Sequence, residues 1–96
     1  MSSFKWSQKA TRNLQQIAEY IRGFNPAAEA VIVGAIVERA DVLREYPRIG
    51  LCREVDAAGT ELRALLAGKR YRIMYEVHLN DDVEIMQVLD VRSGSY

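Results

Sequence analysis

Three observations predict an α+β fold for this 96-residue chain. Apolar residues recur at helical spacing from Ser7 to Tyr46, and after Pro47 the period shortens from 3.6 to 2. Turn residues at Ala58-Gly59, Gly68-Lys69 and Asn80-Asp81-Asp82 then divide the second half into three runs. The expected order is β-α-α-β-β-β, an antiparallel helical hairpin packed on one face of a small antiparallel sheet. Residues 1–96 are read as a single domain, since chains divide at roughly 100 to 200 residues per domain.

Phe4-Lys5-Trp6 opens with a strand-like alternation. Ser7 suits an N-cap, where its hydroxyl accepts from an otherwise unpaired amide of the first turn. Ala10, Leu14, Ile17, Ala18 and Ile21 then lie along one side of a helix that Gly23 stops. Asn25-Pro26 starts a second helix, because proline at the first helical position gives up an amide that had no partner. Its buried stripe is expected in Val31, Ile32, Ala35, Ile36, Leu43 and Tyr46, about 21 residues and ~30 Å of helix before Pro47. Gly34 inside it is read as permitting close helix packing.

The strands are expected at Glu61 to Ala67, Tyr71 to Leu79 and Val83 to Val91. A three-residue loop at Asn80-Asp81-Asp82 keeps the acids out of the core, whereas a two-residue loop would bury them. That register turns Tyr71, Ile73, Tyr75, Val77 and Leu79 toward the helices with Val83, Ile85, Leu89 and Val91, and leaves Gln87 as a misfit. On the open face it sets Arg70 opposite Arg92, Arg72 opposite Asp90 and His78 opposite Glu84.

Thirteen Lys and Arg balance thirteen Asp and Glu. A generally basic nucleic-acid binder is disfavoured, because phosphate affinity comes from neutralising cations. The balance conceals segregation. Residues 63–72 hold Arg63, Lys69, Arg70 and Arg72 without an acid, and residues 81–90 hold Asp81, Asp82, Glu84 and Asp90 without a base. Arg70, Arg72 and Arg92, at the open end of the last hairpin, are the best site candidate, since a guanidinium fork grips phosphate or carboxylate bidentately. A solvated strand end with Arg72 paired to Asp90 is the plainer reading.

The other residues of chemical interest are read as structural. His78 is the sole histidine, an exposed strand residue too far from Arg72 for a joint active site. Cys52 is expected to be a small buried or half-buried apolar side chain. Tyr20, Tyr46, Tyr71 and Tyr75 are placed on apolar faces. One histidine and one distant cysteine supply no metal site, no glycine-rich phosphate loop is present, and no cofactor is expected. With no signal-peptide pattern and no apolar run near 18 residues, the chain reads as cytoplasmic and without a membrane partner.

Trp6-Ser7, Ala10, Leu14, Ile17, Tyr20-Ile21, Ala27-Ala28, Ile36, Leu43, Pro47 and Gly50 follow the spacing of the first half of a known family. Leu62-Arg63, Tyr71-Arg72-Ile73-Met74-Tyr75, Ile85, Val88-Leu89 and Arg92 follow its second half. Over nearly its whole length the chain resembles the RelE/ParE toxins of type II toxin-antitoxin systems. The resemblance implies a growth inhibitor, of the kind associated with plasmid stabilisation, encoded beside an antitoxin that binds it tightly as a hetero-oligomer. Antitoxins of this family lay a helix and then an extended segment across the toxin.

The family splits. RelE-like members cut messenger RNA in the ribosomal A site with basic residues on the open sheet face and a terminal Tyr or His. ParE-like members instead poison DNA gyrase. In this chain Ala67 stands where the nucleases carry an arginine and Asp90 where many relatives have histidine, whereas Arg92 does match. The ParE-like branch is therefore expected, a binding inhibitor of gyrase without sequence-specific nucleic-acid contacts. Arg63, Lys69, Arg70, Arg72 and Arg92 are its expected target- and antitoxin-binding residues. The alternative is a ribosome-dependent messenger endoribonuclease using Arg72, Arg92, Tyr96 and Lys69. A second is an inactive module that only binds antitoxin.

Overall fold

Ser7 starts the helical hairpin as its position suggests. In the computed structural model, which describes residues 2–93, its hydroxyl accepts a hydrogen bond from the Ala10 amide at 3.0 Å. Strand β1 (Phe4–Trp6) precedes it and helix α1 (Gln8–Phe24) follows, closed by the Asn25 amide donating to the Ile21 carbonyl at 2.7 Å. Pro26 opens α2 (Pro26–Asp41) at the first helical position, although the Asn25 side chain makes no cap bond. The second helix is shorter than expected. It tightens at Val42–Arg44 into a 3₁₀ turn, which pairs carbonyls that the helix end would otherwise leave open.

The remaining strands are β2 (Leu51–Val55), β3 (Glu61–Ala67), β4 (Tyr71–Val77) and β5 (Val83–Asp90), with a 3₁₀ turn at Val91–Ser93. They form one five-stranded sheet in the order β1-β5-β4-β3-β2. Two features differ from expectation. The sheet is mixed, because β1 runs parallel to β5, joined also by the Val83 amide to the Ser3 carbonyl and the Ser7 amide to the Ile85 carbonyl. Strand β2 is the other: all five of its residues are exposed at a sheet edge, so no burial pattern marks them in the sequence.

The core lies between the helices and one sheet face. Ala10, Ile36, Ala40 and Leu43 pack with Leu65, Ile73, Tyr75, Val77, Ile85 and their neighbours, and Phe4, Trp6, Leu14, Ile17 and Ile32 close its margins. Several expected core residues are outside it. Val31 is 72% exposed, Tyr46 60% and Tyr20 61%, and Ala35 is exposed as well. The α2 sequence is apolar on all sides, so its periodicity does not single out the covered side. A Cβ added at Gly34 would meet nothing within 4 Å, so that glycine does not mediate helix packing.

Candidate functional site

The site is built by a register shift in β5. Five residues, His78 to Asp82, connect Val77 to its partner Val83, in place of the expected three-residue loop. Asp81 takes a left-handed φ of 68° there, and Leu79, expected in the core, is 75% exposed. Pairing runs Val77 to Val83, Glu76 to Glu84 and Tyr75 to Ile85, then jumps to Met74 with Gln87, leaving Met86 as an extra residue. This β-bulge answers the Gln87 misfit. A one-residue shift exchanges the two faces of everything beyond it. Val88 therefore turns inward in place of Leu89, and Asp90 arrives opposite Tyr71, on the side of the helices.

Ser7 and Asn13 hold the shifted segment. Past Trp6 the outer edge of β5 has no strand beside it among the described residues. Instead the Ser7 hydroxyl donates to the Met86 carbonyl at 3.1 Å and the Val88 amide donates to Asn13 Oδ1 at 3.1 Å. Helix α1 thus covers an edge that would otherwise expose unpaired backbone groups.

Arg70 and Asp90 meet across the strand ends. Arg70 Nε and Nη2 lie 3.0 and 2.9 Å from Asp90 Oδ2. The guanidinium carbon stands 5.7 Å from the Tyr20 ring centre and 5.6 Å from that of Tyr71. Burial alone would push the Asp90 carboxyl up, but the Arg70 bond, the Arg92 amide and the two nearby guanidinium charges outweigh it and hold the carboxyl low. Burial pushes the Tyr71 hydroxyl up. Beside this group lies a cleft of about 640 Å³, with apolar walls from Ile17, Tyr20, Tyr71 and Val88 and polar groups from Asn13, Gln16, Arg70, Asp90 and Arg92. A half-apolar cleft with a carboxylate-gripping cation at its edge suits an apolar side chain flanked by an acid.

The five expected binding residues are not gathered together. Arg70 and Arg92 line the cleft, and Lys69 is exposed in the preceding turn. Arg72 pairs with Leu89 and Leu66 on the opposite sheet face, because Arg70 precedes the strand and swings to the helix side. Arg63 is used within the chain. It binds Glu61 at 2.6 Å and donates to the carbonyls of Gly50 at 2.7 Å and Arg48 at 3.0 Å. The expected pairings of Arg70 with Arg92 and Arg72 with Asp90 are both replaced, and Glu84 faces Glu76 rather than His78. His78 sits in the turn, with Nδ1 3.2 Å from the Thr60 hydroxyl and Nε2 3.8 Å from Glu76. Cys52 is exposed on β2, not buried, because that edge strand has nothing over it among the described residues. Tyr96 lies outside the described residues.

The acidic end of the expected charge separation is partly answered inside the molecule. Asp81 pairs with Arg48, and Asp82 accepts from the Ser3 amide. Tyr20, Gln16 and Asn13 join the site without having been expected there. Their only sequence signal is the polar Gln87 in an apolar strand, the mark of the bulge that brings Asp90 round to them.

A family model described as ParE toxin of type II toxin-antitoxin system, parDE, matches residues 4–95. The chain belongs to the ParE toxin family. A Sinorhizobium fredii protein named "Putative toxin Y4kP" is 35% identical over 85 residues, which span 88% of this chain and 83% of that protein. A chain of the solved structure "Chromosomal ParDE TA system from P. aeruginosa" matches with a TM-score of 0.76 at 23% identity, covering 94% of this chain and 96% of the other. That likeness is one of fold: two helices on a five-stranded sheet. Within this ParE-type toxin, no helix of the described residues is long and apolar enough to cross a membrane.

Proposed function

We propose that this ParE-type toxin inhibits growth by binding DNA gyrase, and that a cognate antitoxin neutralises it by docking an acidic, apolar segment in the cleft beside Arg70. The observation that carries the reading is the dispersal of the cations. A nuclease using Arg72 and Arg92 together needs both at one phosphate, to stabilise charge that develops as the bond breaks. Here Arg72 lies within β4 on the open face, whereas Arg92 follows the end of β5 and lines the cleft beside Arg70, which Asp90 already neutralises. The open face also carries Glu54, Leu62, Glu76, Glu84 and Lys5 as one cross-strand row, which repels a nucleic-acid backbone.

For the antitoxin, Arg70, Arg92 and Lys69 supply positive charge round a cleft with apolar walls, the pairing that helix-in-groove and extended-segment recognition uses. Arg70 would exchange Asp90 for a carboxylate of the incoming segment. The test is direct. Purified protein is expected to stop gyrase supercoiling while leaving ribosome-bound messenger intact, and Arg92→Ala is expected to weaken toxicity. Codon-positioned cleavage of messenger overturns the gyrase reading, and a fully toxic Arg92→Ala protein removes Arg92 from the site. Harmless expression without antitoxin would favour the inactive module.

A further inference from the structure

The ion pair at the cleft is arranged so that it can open. Both Arg70 donors, Nε and Nη2, meet the same oxygen, Asp90 Oδ2, at 3.0 and 2.9 Å. A carboxylate that offers two oxygens to this edge of a guanidinium makes two parallel bonds, a stronger and more directional grip. Asp90 does not reach that geometry, because its other oxygen, Oδ1, accepts the Arg92 amide at 2.9 Å. This second bond is local, two residues along the chain, and does not depend on Arg70. Asp90 therefore keeps a donor and the nearby Arg92 charge when Arg70 turns to another carboxylate.

The surroundings favour such an exchange. The Arg70 and Asp90 side chains are 27% and 26% exposed, so an incoming group can reach them. The Arg70 guanidinium carbon lies 5.7 Å from the Tyr20 ring centre and 5.6 Å from that of Tyr71. Cation–π attraction to both rings keeps the cation in place whichever carboxylate it grips. We propose that Asp90 is an intramolecular competitor for Arg70, occupying the position that a carboxylate of an incoming segment takes and thereby lowering the affinity of the cleft for that segment. This role rests on the docking of an acidic, apolar antitoxin segment in the cleft.

A tethered carboxylate is hard to displace, because the chain holds it beside Arg70 at a high effective concentration. An incoming segment overcomes it by burying apolar side chains against Ile17, Tyr20, Tyr71 and Val88, the walls of the same cleft. A competitor and a shaping residue respond oppositely to substitution. An approaching acid meets the Asp90 charge along with that of Arg70, so removing the Asp90 charge tightens binding. A residue that only shaped the cleft would weaken binding when changed. Strand β5 also brings Val88 to the wall, and Arg92 follows it to the rim, so loosening the strand loses the cleft, while neutralising Asp90 leaves it in place.

Dissociation constants of the full chain with its purified cognate antitoxin test this role, with circular dichroism confirming that each variant is folded. Asp90→Asn keeps the shape of the side chain without its charge and is expected to bind roughly tenfold more tightly than the wild type. Asp90→Ser, a second neutral variant, is expected to shift in the same direction. Arg70→Gln is expected to weaken binding, and in that background Asp90→Asn should bring at most about a twofold gain, since no guanidinium remains to be released. Neutral variants that bind no better than the wild type, beside an Arg70→Gln protein that binds worse, overturn the competitor and leave the cleft as the docking site. A gain undiminished in the Arg70→Gln background also overturns it, because the charge then acts without Arg70. Arg70→Gln and Tyr20→Ala proteins that both bind as tightly as the wild type would take the antitoxin out of the cleft, and the competitor role falls with that reading.

Discussion

The Gly50 amide donates a 2.9 Å hydrogen bond to the hydroxyl of Tyr75, 25 residues away, and both residues are buried. This bond fixes the entry to β2 against the central strand. There is no room for a side chain at Gly50: a Cβ would stand 2.6 Å from the Tyr75 oxygen and 2.7 Å from the Ala64 carbonyl oxygen. Gly50→Ala is expected to destabilise by about 1 to 3 kcal/mol, through displacement of a packed neighbour. Tyr75→Phe keeps the ring but leaves a buried amide without its acceptor, a cost of about 1 to 3 kcal/mol. Chemical denaturation of both variants checks this; a Tyr75→Phe protein as stable as wild type would mean that another group takes up the amide.

The Ser7 hydroxyl has two tasks, accepting from Ala10 and donating to the bulged Met86, while Asn13 receives the Val88 amide two residues further on. Ser7→Ala is expected to cost about 1 kcal/mol for the cap alone, and somewhat more because Met86 loses its donor. Asn13→Ala is expected to cost about 1 to 3 kcal/mol. Because these side chains also hold the strand that delivers Asp90, both substitutions should weaken antitoxin binding along with stability. Urea midpoints and binding to the antitoxin, measured on the same samples, would reveal whether the two losses go together.

The helical hairpin and four of the five strands are legible in the sequence because each carries local evidence: Ser7 and Pro26 mark starts, and alternation marks Phe4–Trp6, Glu61–Ala67, Tyr71–Val77 and the start of Val83–Asp90. Strand β2 is not, since an edge strand exposed on both sides shows no alternation to read. The site is only half legible. Arg70 and Arg92 are visible as cations, but their surroundings depend on a single bulged residue, and parity beyond a bulge cannot be counted from a turn. The same shift moves Asp90 from Arg72 to Arg70 and exchanges Val88 for Leu89 in the core. In α2, continuous apolar character conceals which side is covered.

Gly34 gives a prediction of the opposite sign. It sits in the interior of α2, exposed, and a methyl group on its α-carbon would have nothing within 4 Å. Glycine there costs helix stability through the extra freedom of the unfolded chain. Gly34→Ala should therefore stabilise by about 0.5 to 1 kcal/mol, measured as a rise in the denaturation midpoint at unchanged slope. A loss of stability would indicate that some partner approaches this helix closely.

Acid should loosen the molecule through carboxylates that the fold keeps charged. The Arg63 hydrogen bond, aided by Arg48 and opposed by burial, holds the Glu61 carboxyl below its ordinary 4.5. The Ser3 amide, with Asn80, holds Asp82 below its ordinary 3.8, and the Arg70 bond outweighs burial at Asp90. Groups depressed in the folded state take up protons more readily when unfolded, so their contribution is complete above the ordinary values and is lost as pH falls through the folded ones. The melting temperature is expected to be insensitive to these groups from neutral pH down to about 5 and to fall steadily below about 4.5. Glu61→Gln should melt lower than wild type at pH 7, because Arg63 and Arg48 lose their charged partner, yet show a shallower decline in acid. Melting curves of the two proteins across this range test the assignment: parallel acid limbs would mean that Glu61 is not among the groups responsible, and that Asp82, Asp90 and Glu29, which the Arg22 bond also holds low, carry the transition.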